Sequence, residues 1–484
     1  MQSRDNINPC AIIMPPQSTP MLEVFERQKT AFSKHSYPSL SERKNDLKNL
    51  LSLLKNNRQE IAEAINQDFS GRSIDETMTL EVMQVKHKIE YIKRNLRKWM
   101  KPDRRSSGLL YLPATSKVFS QPLGVVGVVS PWNYPLTLSL SPIAYALAAG
   151  NRVMLKPSEH APITSELFSR LLGETFPVDK VAVVLGDAEI ASEFTSLPFN
   201  HIFFTGSTQV GKLVMQSAAS NLTPVTLEMG GKSPCIIGAE ANISQAASRI
   251  CFGKSINAGQ TCIAPDYVYL PKGKEEEFVS NYTKSWEKMY PGGIESCDLT
   301  SIINEAQFTR LEQMLQDAKD KGAKVVAIGN TGEREKSDNF RMPTHLILNV
   351  NDEMEIMKEE IFGPLLPIKT YSKIQEVIEF VNSGERPLAL YYFGNSRDSR
   401  KKILHNTHSG GVVFNDTVIQ FAVNSLPFGG VGASGIGSYH GKEGFLCFSH
   451  ERSVVSKGKI NPTQLAYPPY GRRIHRILER FFIK

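Results

Sequence analysis

Hydrophobic positions along the 484-residue chain first recur with a helical period. Between residues 38 and 100, leucines lie three or four positions apart, which predicts helices, and Ser39 with Glu42 fits a capping box at the start of one of them. Residues 102–120 lose this period and contain turn-forming and β-branched residues, which predicts an extended arm or hairpin. A helical region and an arm therefore precede the rest of the chain.

After the arm, short apolar runs that end in turn residues alternate with helical stretches such as 136–149 and 161–173. The first group of runs is LGVVGVV (123–129), RVMLK (152–156), KVAVVLG (180–186) and HIFFTG (201–206). The second group is PCIIG (234–238), YVYLP (267–271), KVVAIG (324–329) and GGVVFN (410–415). Strands that alternate with helices form parallel sheets covered on both faces. The predicted fold class is α/β with two parallel-sheet lobes, and a nucleotide site is expected at the carboxyl ends of the first lobe's strands.

Composition narrows the class of protein. With 41% hydrophobic and 22% charged residues, the chain has the composition of a soluble globular protein. Its net charge of +7 is spread along the chain, which predicts a solvated surface and no nucleic-acid partner. The first twenty residues lack the apolar run of a secretion signal, and no run approaches the roughly 18 apolar residues that span a bilayer. A cytoplasmic location is expected.

The six cysteines include no CxxC pair, and their spacing fits neither a zinc site nor a dense disulfide framework. Free thiols and no metal site are therefore expected, which agrees with a reducing compartment.

Two glycine motifs resemble nucleotide-binding signatures. Gly430 to Gly435 reads GVGASG, but no predicted strand precedes it, so a glycine-rich turn is the better interpretation. Gly206 to Leu213 reads GSTQVGKL, in which leucine replaces the hydroxyl residue that a P-loop places on magnesium. What remains is a strand, a Gly-Ser-Thr turn and a helix N-terminus, which suits an anion such as a pyrophosphate. A plain turn between strand and helix is the alternative.

Cys262 lies in the stretch INAGQTCIAPDYV, between two predicted elements. Residues 244–257 have helical character, Gly259 fits a helix stop, and a strand is predicted from Asp266 to Leu270. A side chain in such a tight connection can point into a cleft. The local sequence leaves two interpretations open, a nucleophile and a small buried thiol.

Two further residues could assist a cysteine nucleophile. Glu228 ends a strand-like segment before two glycines and could act as a general base, although most glutamates are exposed or ion-paired. Asn133 follows the predicted strand 123–129 and could donate to an oxyanion, although Asn beside prolines is also typical of turns. None of the ten histidines has a context typical of a Cys–His protease.

Seven segments in order carry a family resemblance: PWNYP, LKPSE, FTGST, LEMGGKSP, GQTCIAPDYV, EEIFGP and PFGGVGASG. Together they resemble the motifs of the aldehyde dehydrogenase superfamily, from about residue 20 to residue 456. GQTCIAPDYV and the ending SLPFGGVGASGIGSYHGKEGFLCFSH resemble the class 3 branch. Within that branch the chain is most similar to bacterial coniferyl aldehyde dehydrogenases.

The resemblance implies a role for each matching residue. Cys262 would be the nucleophile, Glu228 the base, and Asn133 with the backbone N–H of Cys262 the oxyanion hole. The implied cofactor-binding residues are Trp132, Lys156, Glu159, Gly206, Ser207, Gly211, Glu360 and Phe362. The implied aldehyde funnel includes Tyr134, Val418, Phe421 and Ala422.

The implied activity is NAD-dependent oxidation of an apolar or aromatic aldehyde, such as coniferyl aldehyde, to the carboxylic acid. A cysteine thiohemiacetal and a thioester would be the intermediates, and Glu228 would activate the hydrolytic water. NAD is the expected cofactor and NADP the alternative, since Glu159 would accept the 2′-hydroxyl of NAD. Oxidation of long-chain fatty aldehydes is one alternative function, and non-catalytic NAD binding on the same scaffold is another.

The resemblance also implies three parts and a homodimer. The NAD-binding domain would comprise 1–102 and 122–227, the catalytic domain 228–428, the bridging segments 103–121 and 429–456, and the tail 457–484. Near its end the tail places apolar residues on one helical face: Ile474, Ile477, Leu478, Phe481 and Phe482. The first hypothesis is that this helix caps the protein's own surface or the substrate entrance, and the second is weak contact with a membrane surface.

Overall fold

The computed structural model describes residues 20–329 and 339–483, so the prediction for the first nineteen residues lies outside the described chain. The α-helices in these ranges are α1 (Pro20–Lys34), α2 (Leu40–Asn56), α3 (Arg58–Asp68), α4 (Ile74–Thr77), α5 (Met83–Trp99), α6 (Pro135–Ala149), α7 (Pro162–Thr175), α8 (Ala188–Ser196), α9 (Thr208–Ala219), α10 (Ile243–Ser255), α11 (Glu275–Met289), α12 (Glu305–Asp320), α13 (Glu355–Lys358), α14 (Ile374–Ser383), α15 (Arg397–Asn406), α16 (Gly441–Cys447) and α17 (Arg473–Phe482). The strands are β1 (Asp103–Arg105), β2 (Thr115–Pro122), β3 (Val125–Val129), β4 (Arg152–Lys156), β5 (Val181–Val183), β6 (His201–Thr205), β7 (Val225–Glu228), β8 (Pro234–Ile237), β9 (Tyr267–Pro271), β10 (Lys324–Ala327), β11 (His345–Leu348), β12 (Leu365–Tyr371), β13 (Ala389–Phe393), β14 (Gly411–Phe414), β15 (Gly435–Ile436) and β16 (Ser449–Ser456).

The first sheet has the strand order β15-β7-β6-β3-β4-β5. Its first five strands along the chain, β3 to β7, are parallel, whereas β15 runs antiparallel to β7. Because parallel strands end at the same edge, the loops after β3, β6 and β7 meet there. This edge carries Asn133, Gly206 and Glu228.

Helix α6 follows β3 and is buried along its whole length. Its sequence PLTLSLSPIAYALAA is apolar on all sides, as expected of a helix enclosed by other elements. Pro135 begins the helix, and Gly150 ends it in the left-handed conformation with φ of 95°. The helix is thereby fixed at both ends, and its N-terminus directly follows Asn133.

The second sheet has the order β10-β11-β12-β9-β8-β13-β14. Its strands are parallel except β10, which pairs antiparallel with β11. The third sheet is antiparallel, in the order β1-β2-β16, so the predicted arm is a hairpin completed by a strand from near the C-terminus.

The predicted fold class is confirmed, and each of the eight apolar runs forms a strand. The expectation of parallel strands throughout the second lobe was wrong for β10. Strands β11, β12 and β13 were missed, although their apolar segments HLIL, LLPIKTY and ALYYF carry the same signal. The capping box of Ser39 and Glu42 at the start of α2 is confirmed.

The segment 429–456 divides among three places in the fold. Its strand β15 joins the first sheet, α16 packs against α6, and β16 joins the arm. The predicted division into domains and bridging segments stays a prediction.

The tail ends in α17, which packs against the short 3-10 helix Pro462–Ala466. Its apolar face is open, since Ile477, Phe481 and Phe482 are 52%, 82% and 56% exposed. None of the described helices is long and apolar enough to cross a membrane.

Arg43 of α2 is fully buried at the C-terminal end of α6. Its Nη1 donates to the carbonyl oxygens of Ala148 (3.1 Å) and Ala149 (2.7 Å), and its Nε donates to Pro38 O (2.9 Å). Carbonyl groups at a helix C-terminus lack intrahelical partners, and the helix dipole favours a cation there.

We therefore expect Arg43→Met to lower Tm by at least about 3 °C, because buried carbonyl groups lose their donors. Thermal unfolding checks this, with Arg58→Met as the control, since Arg58 makes its carbonyl contact at the exposed surface. Equal Tm values for the two variants would contradict the stabilising role of Arg43.

Candidate active site

The loop that carries Cys262 begins with an unusual turn. The preceding helix α10 ends at Ser255, not at residue 257 as predicted, and residues 256–259 form a 3-10 turn. Asn257, Ala258 and Gly259 have φ values of 48°, 53° and 75°, all in the left-handed region. At Gly259 an added Cβ would lie 2.5 Å from Gly363 O, so only glycine fits. The turn reverses the chain and directs the next residues, including Cys262, toward the edge of the first sheet.

Asn133 joins this loop to the first lobe. Its side-chain Nδ2 donates to Gln260 O (3.1 Å), and its own carbonyl oxygen accepts from Asn257 Nδ2 (2.9 Å). Because Gln260 lies two residues before Cys262, the predicted oxyanion donor lies beside the predicted nucleophile. Asn133 is 3% exposed, so these bonds are shielded from water.

A buried arginine supports Asn133 from the other side. Arg72 Nη1 donates to Asn133 O (3.2 Å) and lies 3.1 Å from Glu81 Oε1. Its guanidinium also lies over the Tyr134 ring, 4.8 Å from the ring centroid. Glu81 Oε2 accepts from Thr137 N (2.8 Å) at the start of α6. The network was not predicted, because a charged helical segment usually indicates a solvated face.

Glu81 lies in a five-residue π-helical segment, Met78–Val82, which leads into α5. Such segments occur often at functional sites. A second carboxylate of the network, Glu76, accepts from Asn257 N (2.6 Å) and so holds the left-handed turn directly. The network thereby contacts both Asn133 and the loop of Cys262.

Glu228 ends β7 and is 3% exposed. Burial raises the pKa of its carboxyl group well above the usual range, and the nearby cation Lys88 acts in the opposite direction. Lys88 is itself buried, and its Nζ contacts His440 Nε2 and lies 4.2 Å from the Phe421 ring centroid. Burial lowers the pKa of Lys88 well below its usual value. The predicted base therefore has a buried lysine as its electrostatic partner.

The pKa of the Cys262 thiol is raised, first by burial and then by the negative charges of Glu360 and Glu228. The pKa of Glu360 is raised to about 8 by burial, with a further contribution from Asp266. Forming the thiolate therefore requires that a neighbouring carboxylate accept a proton or that a positive group approach.

Two cavities meet at Cys262. The first has a volume of about 220 Å³ and is mainly apolar. All four predicted funnel residues, Tyr134, Val418, Phe421 and Ala422, line it. Its other lining residues were missed: Leu80, Gln84, Thr137, Leu138, Phe252, Ile256, Thr261, Ile263 and Ile419. They come mostly from helices α5, α6 and α10 and the π-helical segment. Which side of these helices faces the cavity depends on tertiary packing, and the sequence does not show it.

The second cavity has a volume of about 240 Å³ and lies at the carboxyl edge of the first sheet. Its lining includes the predicted residues Trp132, Asn133, Gly206, Ser207, Glu228, Cys262, Glu360 and Phe362. The structure therefore brings together the three predicted catalytic residues and five of the predicted cofactor-binding residues.

Three predicted cofactor-binding residues lie outside this lining. Lys156 ends β4 and is buried, with its Nζ 3.5 Å from Glu159 Oε2. Both residues follow the strand next to β3, at the same edge of the sheet. Gly211 lies in α9, where an added Cβ would approach Met229 Sδ to 2.5 Å. Gly211 thus permits close packing of α9 against the residue that follows β7.

The second cavity has polar groups in its wall that a ligand could contact. Two buried oxygens in its lining, Thr205 Oγ1 and Glu228 Oε1, have no hydrogen-bond partner among the described residues. Ser207 caps α9 by accepting from Val210 N (3.3 Å), and the helix N-terminus faces the same edge. At Gly230 an added Cβ would lie 2.2 Å from Glu360 Oε1, so the glycine makes room for that carboxylate.

Gln307 and Arg310 of α12 also line the second cavity and were not predicted. Arg310 Nη2 donates to Ile361 O (2.6 Å), and its Nε donates to Gln307 Oε1 (3.0 Å). The pair therefore positions the segment of Glu360 and Phe362. The one sequence signal for this pair was their spacing of three positions, which places both side chains on the same face of a helix.

Across residues 20–329 and 339–483, no group of three or more His, Cys, Asp or Glu residues could hold a metal ion. The described cysteines, Cys235, Cys251, Cys262, Cys297 and Cys447, are free.

Comparison with known proteins gives consistent matches. The model of the aldehyde dehydrogenase family matches residues 17–454. A probable coniferyl aldehyde dehydrogenase from Pseudomonas aeruginosa is 50% identical over 461 residues, covering 95% of this chain and 96% of that protein. A coniferyl aldehyde dehydrogenase from Pseudomonas sp. strain HR199 is 43% identical and covers 94% of each chain. The solved structure of Staphylococcus aureus AldH in a substrate-bound state matches with a TM-score of 0.91 and 36% identity, covering 96% of this chain and all of that chain.

The electrostatics around Cys262 can be tested by alkylation. Above pH 8 Glu360 is ionised and disfavours the thiolate, so Glu360→Gln should move the pH midpoint of Cys262 alkylation down by about one pH unit. Rates of iodoacetamide labelling, measured by peptide mass spectrometry, check this. The exposed Cys297 is the internal control and Glu359→Gln the control variant. An unchanged midpoint at Cys262 would contradict the charge effect.

Proposed function

The chain belongs to the aldehyde dehydrogenase family of oxidoreductases, whose members use NAD or NADP, and from that premise we propose that it oxidises an apolar or aromatic aldehyde, such as coniferyl aldehyde, to the carboxylic acid. The observation that carries the proposal is that two cavities meet at Cys262, one apolar and one with charged side chains in its lining. An aldehyde in the first cavity and a nicotinamide in the second would both reach the thiol.

Cys262 acts as the nucleophile and forms a thiohemiacetal with the aldehyde carbon. The buried thiol is a poor nucleophile until it loses its proton, and Glu360 and Glu228 are nearby carboxylates able to accept it. When bound, the nicotinamide supplies the acceptor for the hydride that leaves the aldehyde carbon. The carbon attached to Cys262 is then at the oxidation level of a thioester.

Asn133 stabilises the negative oxygen of the thiohemiacetal. One N–H of its Nδ2 donates to Gln260 O in this structure, and the second N–H is the donor for the substrate oxygen. The contacts of Arg72 and Asn257 with its backbone carbonyl hold the residue in place. A fixed donor in a site without water stabilises the developing charge strongly.

Glu228 then activates water for hydrolysis of the thioester. A carboxyl group with a raised pKa accepts a proton readily once it is ionised, as a base near neutral pH must. The nearby Lys88, when protonated, favours that ionised form. Hydrolysis releases the acid and restores the thiol of Cys262.

NAD is the proposed cofactor, with NADP as the alternative. The proposed contacts are the Gly206–Ser207 turn for the pyrophosphate, Lys156 and Glu159 for the adenosine ribose, and Trp132, Glu360 and Phe362 for the nicotinamide end. The ring of Phe362 meets Trp132 edge-to-face at 5.5 Å, which supports an aromatic wall there. A role for Gly211 would be indirect, through the packing of α9.

We propose a homodimer in the cytoplasm. The arm and the tail are the proposed contact surfaces, because Leu109, Tyr470 and Phe481 are 81%, 78% and 82% exposed. Free thiols among the described cysteines fit a reducing compartment. Contact of α17 with a membrane surface is the alternative use of its apolar face.

Two alternative functions make different predictions. A long-chain fatty aldehyde dehydrogenase would also need an apolar cavity, so rates with alkanals and aromatic aldehydes discriminate. A non-catalytic NAD-binding protein would not need a nucleophile, a base and an oxyanion donor around one cavity. That convergence favours catalysis.

We expect Asn133→Ala to reduce kcat by about 10²–10³-fold, because one oxyanion donor is lost. The measurement is steady-state NADH formation with coniferyl aldehyde. Asn95→Ala is the control, since Asn95 only bonds the backbone of its own helix. A kcat equal to that of the wild type in Asn133→Ala would contradict the role of Asn133 as an oxyanion donor.

We expect Glu159→Gln to raise the KM for NAD about tenfold, because the ribose 2′-hydroxyl loses a charged acceptor. The preference for NAD over NADP should fall at the same time. Glu174→Gln, a change at the exposed end of α7, is the control. Steady-state kinetics with both cofactors check this, and an unaltered preference would argue against the ribose contact.

A further inference from the structure

The apolar cavity beside Cys262 contains few polar side chains. Besides the thiol, its lining has four residues with a polar side-chain group: Gln84, Tyr134, Thr137 and Thr261. Any hydrogen bond to the ring of a bound aldehyde must come from this small set, unless backbone atoms provide it.

Two of the four groups bond each other, and a third is enclosed by protein. The hydroxyl groups of Tyr134 and Thr261 bond each other at 2.9 Å. The hydroxyl oxygen of Thr137 is buried and has no hydrogen-bond partner among the described residues, and the residue is only 2% exposed, so this group is enclosed by protein. These three hydroxyl groups are therefore either paired with each other or buried away from the cavity.

Gln84 differs from the other three. It is half-buried, and its side-chain amide forms no hydrogen bond to any residue within 20–329 or 339–483. It lies at the start of α5, four positions after Leu80, which lines the same cavity. Residues four apart share one helix face, so both side chains are directed to the cavity by the same packing. An uncommitted amide thus lies in an otherwise apolar wall.

The amide offers an acceptor and a donor side by side. An aromatic ring with adjacent hydroxyl and methoxy groups presents the matching pair, because the hydroxyl donates and the methoxy oxygen accepts. An alkyl chain presents neither, and burying the amide against it leaves both amide atoms without partners. Charged substrates find no countercharge in this lining.

We infer that Gln84 is a specificity-determining residue whose amide recognises the hydroxyl and methoxy edge of an aromatic aldehyde held at Cys262. The inference rests on the proposed function. It goes further by assigning the preference for oxygenated rings to one side chain, which supplies no chemistry to the reacting carbonyl group.

The test compares coniferyl aldehyde with cinnamaldehyde, which has the same skeleton without the two ring substituents. In the wild-type enzyme kcat/KM should favour coniferyl aldehyde by about tenfold or more, the value of one good hydrogen bond. Gln84→Met keeps the length of the side chain and removes the amide. We expect the ratio of the two kcat/KM values to fall about tenfold, mainly through KM.

Leu80→Met is the matched control on the same helix face, and it should leave the ratio within about twofold of the wild type. A Tm measurement on each variant identifies general loss of structure. Decanal serves as a third substrate. The ratio of kcat/KM for decanal to kcat/KM for coniferyl aldehyde should be higher in Gln84→Met than in the wild type.

The inference would be overturned if Gln84→Met lowered kcat/KM equally for coniferyl aldehyde and cinnamaldehyde, or if the ratio of the two kcat/KM values did not change. Either result would leave the proposed function in place. A wild-type enzyme that reduces neither NAD nor NADP with any of the three aldehydes would instead overturn the proposed function, and the inference with it.

Discussion

The hydrogen bonds of Asn133 are the constraint on which the site depends. Its carbonyl oxygen accepts from Arg72 and Asn257, and its side-chain amide donates to Gln260. One residue in the loop after β3 of the first sheet thereby fixes the loop that carries Cys262 and leads into the second sheet. The left-handed turn at 257–259 and the glycine at 259 follow from this requirement, since the loop must reverse within three residues to place the thiol beside the first sheet.

Burial also shifts the pKa values of the ionisable groups in this site. Enclosing Cys262, Glu228 and Lys88 disfavours their charged forms, so the pKa values of the thiol and the carboxyl group rise and that of the amine falls. A thiol that is neutral at rest is protected from adventitious alkylation. Lys88 lies near Glu228, and the charged form of each favours the charged form of the other, so proton transfer to and from this carboxylate can control attack by water.

Sequence patterns predicted the α/β class but left open whether Cys262, Glu228 and Asn133 act together, and the resemblance to the aldehyde dehydrogenase family implied that they do. The sequence did not predict Arg72, Glu81 or Lys88, which lie in helical segments where charge normally indicates a solvated face. Their partners lie 61, 9 and 352 residues away along the chain, so only the folded packing shows that they are buried. Gln84 and Arg310 were missed for the same reason, since the side of a helix that faces a cavity depends on its neighbours.

The central claim is that Cys262 is acylated by the aldehyde during turnover. The most direct measurement is peptide mass spectrometry of Glu228→Gln after acid quench from a mixture with NAD and coniferyl aldehyde. Without the base, hydrolysis should slow and the acyl group should accumulate on the peptide that contains Cys262, with none on the peptides of the other cysteines. Formation of NADH by this variant without any acyl group on Cys262 would contradict covalent catalysis by this residue.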